Sequence, residues 1–180
     1  MYVSASSRVA VEGSEDVISR DFDDFYRAEV AAMVVLATGV LGRRSGADDL
    51  VQEGMLEAYR RWDRLGSYDS PRAWVRRVVV QRAVKAAKKA DNERNAHLRA
   101  LSKRPHEDVV ESLDPTLRAQ LQQLPAQQRA ALALHYLEDL PVAEIADLLG
   151  VTEGTVKVHL SRGRTRLADA LSPTDEQEEV

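Results

Sequence analysis

There is no cysteine in this chain. It can therefore form no disulfide, present no thiol nucleophile and build no cysteine-ligated zinc site. Only four histidines occur, at 97, 106, 135 and 159, and none has a metal-ligand spacing such as HExxH. His135 lies close to Glu138 and Asp139 in sequence, but no convergent set of acid–base groups accompanies them. No apolar run reaches the length of a membrane span. The N-terminus has no basic segment leading into an apolar core, so no signal peptide is read there. Glycine-rich phosphate loops and internal repeats are missing as well. These absences predict a soluble cytoplasmic protein that is not an enzyme. No metal, cofactor, small-molecule substrate or membrane insertion is expected.

What is present is charge, unevenly placed. The net charge of the 180 residues is −4. Residues 72–104 hold 11 Lys and Arg against 2 Asp and Glu, a net of +9. The segments before and after carry nets of −5 and −8. A basic block in an acidic chain is a candidate phosphate-binding surface. A merely solvated face usually mixes signs.

The most informative stretch is PVAEIADLLGVTEGTVKVHLSRGRTRL, residues 141–167. Val142, Ile145, Leu148 and Leu149 recur at helical spacing. Gly150 follows where a helix end favours a left-handed backbone. Thr152 is placed to cap a second helix. Ala146 is small where two helices must approach, and Val156 plugs the core from the second helix. That spacing is the helix-turn-helix pattern. Lys157, His159, Ser161, Arg162, Arg164 and Arg166 crowd the remaining face. A plain helical hairpin explains the apolar spacing but not this density of hydrogen-bond donors.

Upstream, the pattern predicts helices and no βαβ unit. Residues 1–19 read as a flexible N-terminus. From about Arg20, Phe22, Phe25, Tyr26, Val30, Met33 and Leu36 mark a helix that Gly39 and Gly42 weaken or end. A second helix, residues 48–65, carries Asp48 and Asp49 in its first turn and arginines in its last turns, in accord with the helix dipole. Its outer side holds Asp49, Gln52, Glu53 and Glu57. Pro71 opens a third helix reaching about Ala90. There Trp74, Val75, Val78, Val79 and Ala83 face inward, and Arg72, Arg76, Arg77, Arg82, Lys85, Lys88 and Lys89 form a basic side. Residues 91–112 read as a linker with some helical tendency. A second unit spans 113–171, and 172–180 reads as a disordered acidic tail. The expected fold is all-α: two small helical domains, 20–90 and 113–171, each with its own core and joined by a mobile junction.

Two stretches in this order resemble a known family. ADDLVQEGMLEAYRRWDRL followed by SPRAWVRRVVVQRAV, and LQQLPAQQRAALALHYLEDLPVAEIADLLGVTEGTVKVHLSRGRTRL, resemble the first and last domains of bacterial RNA polymerase sigma factors of the extracytoplasmic-function class. The RRWDR run and the overall length resemble the actinobacterial subgroup labelled the sigma-E family. Gly54 and Met55 depart from it, standing where the family often has a threonine and an aromatic. The resemblance implies a promoter-specificity subunit whose partners are core RNA polymerase, promoter DNA and an anti-sigma factor. By resemblance, Asp49, Gln52, Glu53 and Glu57 meet the polymerase. Leu65, Gly66, Ser67 and Tyr68 hold a flipped base of the −10 element. Arg72, Arg76, Arg77, Arg82, Lys85 and Lys88 follow −10 phosphates. Thr152, Glu153, Thr155, Lys157, His159, Ser161, Arg162 and Arg164 meet the −35 major groove. The alternative is a helix-turn-helix regulator that acts without being a polymerase subunit. That class wants a receiver or ligand domain, which the all-helical pattern of 20–90 does not supply.

Overall fold

The computed structural model describes residues 6–98 and 115–171, with side-chain environments for 21–94 and 119–170. The expected linker core and the acidic tail lie outside the described residues. Within them there are eight helices and no strand. The fold is all-α, two small helical units joined by a linker, the second a helix-turn-helix.

The first unit holds α1 (Ser6–Leu41), α2 (Ala47–Tyr59), the short α3 (Trp62–Leu65) and α4 (Pro71–Leu98). Met33, Leu36, Val40, Val51, Val75 and Val79 are fully buried where α1, α2 and α4 meet. Each such aliphatic side chain contributes roughly 1.5–3 kcal/mol of burial. The absent side chain of Gly54 lets α2 approach α4, since a Cβ there would stand 3.0 Å from Val79 Cγ2. At the other end, Phe22 and Phe25 rings lie 5.2 and 4.8 Å from the Trp62 indole.

Three boundaries differ from the sequence reading. Helix α1 starts at Ser6, not near residue 20. No proline interrupts residues 6–20, and once a helix exists each added residue gains a hydrogen bond. The helix expected over 48–65 breaks at Arg60 and Arg61, where Arg61 takes φ −123 and ψ 11. That break swings Trp62 onto Phe22 and Phe25, and it leaves Leu65 buried at 2% exposure. Helix α4 runs to Leu98, so residues 91–98 are helix rather than linker.

The second unit holds α5 (Pro115–Gln123), α6 (Ala126–Tyr136), α7 (Val142–Leu149) and α8 (Glu153–Leu171). The sequence expects two separate cores. The buried side chains instead form one continuous apolar cluster through both units. Helix α6 makes the join by packing on α1 and α4. Small residues permit the close approach: a Cβ on Gly39 would lie 3.1 Å from Leu137 Cδ1 and 3.2 Å from Ala133 Cβ.

One buried cation sits at the join. Arg129 is 1% exposed. Its Nε donates to the Val40 carbonyl at 3.1 Å, and its Nη1 donates to the carbonyls of Gln122, at 3.2 Å, and Leu124. Its Nη2 pairs with the Asp91 carboxylate at 3.2 Å. The other Asp91 oxygen accepts the Ala126 N–H at 2.9 Å, one of the free donors of the first turn of α6. Burial pulls the Arg129 pKa below its ordinary value, and Asp91 opposes that shift.

Candidate nucleic-acid interface

The turn before α8 is set by two residues. Gly150 takes φ 65 and ψ 40, the left-handed conformation that ends α7. Thr152 Oγ1 accepts the Thr155 N–H at 3.2 Å and starts α8. Val156 and Leu160 are buried beneath the helix. Glu153, Lys157, Ser161 and Arg164 then fall on one exposed stripe, and Arg162 is exposed on a different face of the helix. Thr155 is half-buried, and its hydroxyl shares a hydrogen bond with that of Thr152 at 2.9 Å. Arg164 leans back, its Nε donating to the Leu160 carbonyl at 3.2 Å. Val158 is exposed one turn before Arg162, on the same face as that residue. Donor-counting passes over it, yet an aliphatic group off the core stripe of such a helix is suited to a thymine methyl.

His159 faces inward more than the sequence suggests. It is half-buried, and its Nδ1 is buried without a partner. Burial lowers its pKa below 6.5, and Arg162 and Lys88 push the same way. The neutral ring is therefore the folded form. As pH falls through 6.5 the unfolded chain takes up this proton first, so acidification costs stability until the folded ring also protonates. Urea midpoints compared at pH 7.5 and 5.5 should show that loss, and His159→Gln should reduce it.

The basic side of α4 divides in two. Arg77, Lys85 and Lys88 are exposed, as expected. Arg72, Arg76 and Arg82 do not point freely outward, which corrects the sequence reading. Arg72 pairs with Glu29 at 2.7 Å and with Glu138 at 3.0 Å. The hydrogen bond to Glu138 raises its pKa, against the opposing effect of burial. Arg76 reaches Glu138 at 3.3 Å and Glu144 at 3.7 Å. Arg82 pairs with Glu57 at 2.6 Å and Glu53 at 3.6 Å. The charge pattern of one helix does not say which charges another helix neutralises.

The acidic stripe of α2 is correspondingly narrower than expected. Asp49, Gln52 and Glu53 are exposed. Glu57 is only half-exposed and is held by Arg82 and by Arg61 at 3.0 Å. Leu56, 48% exposed, continues the stripe as an apolar contact that charge counting misses.

The loop after α3 presents Gly66, Ser67 and Tyr68 to solvent, whereas Leu65 belongs to the core. Ser67 Oγ donates to the Arg64 carbonyl at 2.7 Å, which fixes the turn. A recess of about 460 Å³ lies beside it, lined by Arg60, Arg61, Asp63, Arg64, Leu65, Tyr68 and Trp74. The Arg61 guanidinium stands 5.6 Å from the centre of the Trp74 ring. Aromatic faces with guanidinium edges suit an unstacked base. Trp74 is half-buried, so it serves the core and this recess together.

Comparison with known proteins places these surfaces in a family context. Residues 25–93 match Sigma-70 region 2, and residues 116–167 match Sigma-70, region 4. The chain is 32% identical over 158 residues to the ECF RNA polymerase sigma factor SigM of Mycobacterium tuberculosis, covering 83% of this chain and 76% of that protein. It is 27% identical over 162 residues to the RNA polymerase sigma-E factor of Streptomyces avermitilis, covering 86% and 87%. Among solved structures, the sigma factor RpoE in complex with the anti-sigma factor NepR from Bartonella quintana has the same fold. The TM-score is 0.67 at 22% identity, over 86% of this chain and 99% of that one. Among the described residues no helix is long and apolar enough to cross a membrane.

Proposed function

Because the chain belongs to the extracytoplasmic-function class of RNA polymerase sigma factors, we propose that its surfaces divide the work of directing core polymerase to promoters. The exposed stripe Asp49, Gln52, Glu53 and Leu56 docks on the polymerase. Gly66, Ser67, Tyr68 and the recess beside them hold an unstacked −10 base. Arg77, Lys85 and Lys88 follow −10 phosphates, joined by Arg72, Arg76 and Arg82 when these are released from their carboxylates. The −35 contacts come from α8. The working units are residues 20–90 and 113–171. The protein supplies recognition and strand opening in the cytoplasm, while polymerase supplies the chemistry. An anti-sigma factor is a further proposed partner.

The observation that carries this assignment is the exposed stripe of α8. It places Lys157, Ser161 and Arg164 in one row above the buried Val156 and Leu160, at the start of a capped helix. A helix so presented fits the major groove with its N-terminal half. The test is run-off transcription with purified core polymerase and a library of promoter fragments. Transcripts from a defined subset of promoters are expected. DNA binding without transcripts would instead indicate a regulator that is not a polymerase subunit.

Charge reversal at Asp49 or Glu53 tests the polymerase face. Both are exposed, so the fold should be unchanged. The association rate with core polymerase should fall, and more at low salt than at high salt. Unchanged kinetics in both variants would remove the docking assignment.

A further inference from the structure

We propose that Asp63 sets the base preference of the recess beside α3: the recess accepts a base that carries an exocyclic amine, as cytosine, adenine and guanine do, and disfavours thymine. The proposal rests on the reading of this recess as the holder of an unstacked −10 base, and it names the group that reads the base edge. Among the described residues that line the space of about 460 Å³, Asp63 is the one carboxylate, and it shares the recess with Arg60, Arg61 and Arg64. Asp63 is exposed. Three guanidinium groups border the same space, yet none is paired with it. The Arg61 guanidinium is held by Glu57 at 3.0 Å and stands 5.6 Å from the centre of the Trp74 ring. Arg60 and Arg64 make no ion pair with the described residues. The carboxylate is left free to accept from what enters.

A carboxylate on a surface that meets DNA repels the phosphates. What it gains must come from the bases, because the hydrogen-bond donors of DNA lie on base edges. An ionised aspartate accepts and cannot donate. An exocyclic amine gives it a proton to accept, as in carboxylate contacts with cytosine N4. Thymine has no amine. Its N3–H lies between two carbonyls, so a carboxylate that takes this proton sets its second oxygen against one of them. The arginines serve the rest of the edge, since cytosine O2, adenine N1 and guanine O6 all accept from a guanidinium. Trp74 and Tyr68 line the same recess and suit the face of the base. An acidic residue in a first turn also meets the helix dipole. Helix α3 is only four residues long and Asp63 is exposed, so that gain is small.

The test uses the full chain with core polymerase and a fork-junction DNA whose single-stranded non-template segment carries the −10 element. An abasic site at each −10 position in turn finds the base held by the recess: there, loss of the base and Tyr68→Ala weaken binding without adding. Cytosine, 5-methylcytosine, uracil and thymine are then compared at that position. Cytosine and uracil, and likewise 5-methylcytosine and thymine, differ at the amine and not in size. Wild type, Asp63→Asn and Asp69→Asn are measured. Asp69 is exposed in the loop that follows and does not line the recess, so its variant makes the same charge change away from the base. We expect wild type and Asp69→Asn to bind either cytosine about tenfold tighter than its amine-free counterpart, within the range of one base-edge contact. In Asp63→Asn that ratio should fall close to one, because the amide can accept from cytosine and donate to uracil. The ratio also cancels the general gain in affinity from removing a negative charge. If no −10 position couples to Tyr68, the recess holds no base, and the reading beneath the proposal fails together with it. If one position couples but cytosine and uracil bind alike, the recess holds a base without reading its amine, and only the proposal is overturned. Equal discrimination in wild type and Asp63→Asn overturns it as well, since another group then reads the amine.

Discussion

Replacing Arg129 with methionine is expected to cost the fold about 3–5 kcal/mol, the range for breaking a buried ion pair by removing one partner. The methionine fills the aliphatic part of the space. It leaves Asp91, a partly buried carboxylate, with only the more distant guanidinium of Arg94, 3.9 Å away, and it strips the donors from the carbonyls of Val40 and Leu124. Those two carbonyls close the ends of α1 and α5, where no partner exists within the helix. Arg129→Lys keeps the charge but cannot span the same acceptors, because a lysine has no planar fork. It should lose most of the same stability. Asp91→Asn in the Arg129→Met background should recover part of it, since the carboxylate that has lost its close partner is then gone. Urea unfolding followed by circular dichroism measures all four chains. A midpoint for Arg129→Met within experimental error of wild type would show that the guanidinium does not hold the join.

The second large effect concerns sequence preference. Lys157 and Arg162 project from the exposed side of α8 and make no ion pair with the described residues. Losing a base-edge hydrogen-bonded pair should cost roughly 1–3 kcal/mol and relax preference at one or two positions of the −35 element. Arg77→Ala on α4 should behave differently. A phosphate contact carries little sequence information, so its loss weakens binding about evenly across sequences and lowers the salt slope by roughly one unit. Selection of −35 sequences by wild type, Lys157→Ala and Arg162→Ala separates the roles. If both variants select the wild-type sequence at lower yield, α8 is steadied by these residues but read by others, with Ser161 and Val158 next in line.

The helix-turn-helix was legible because its determinants are local. Gly150, Thr152 and Val156 fix the turn, the cap and the core plug within seven residues, and the structure shows all three in those roles. The all-α class was legible for the same reason, from helical spacing of apolar residues. Long-range pairs were not legible. Arg60 and Arg61 continue a helical pattern in sequence, and the break there answers to Phe22 and Phe25 far upstream. Arg76 and Arg82 read as solvent-facing from their own helix; Glu138, Glu144 and Glu57 on other segments decide otherwise. Arg129 shares a helical spacing with Leu132, Ala133 and Tyr136 on α6. Nothing near it in sequence announces acceptors on α1 and α4.

The Asp91 carboxylate has a kinetic consequence. Amides in the first turn of a helix ordinarily exchange quickly with deuterated solvent, because the helix offers them no acceptor. The Ala126 amide has one from the far end of α4. It can exchange only when the second unit leaves the first, or when α6 unfolds. Its protection therefore reports the free energy of separating the units, one rung below global unfolding. The Leu134 amide, mid-helix with its side chain fully buried, reports the unfolding of α6 itself. Where Ala126 exchanges faster than Leu134, its rate relative to that of an unprotected amide gives the fraction of time the intact second unit spends detached.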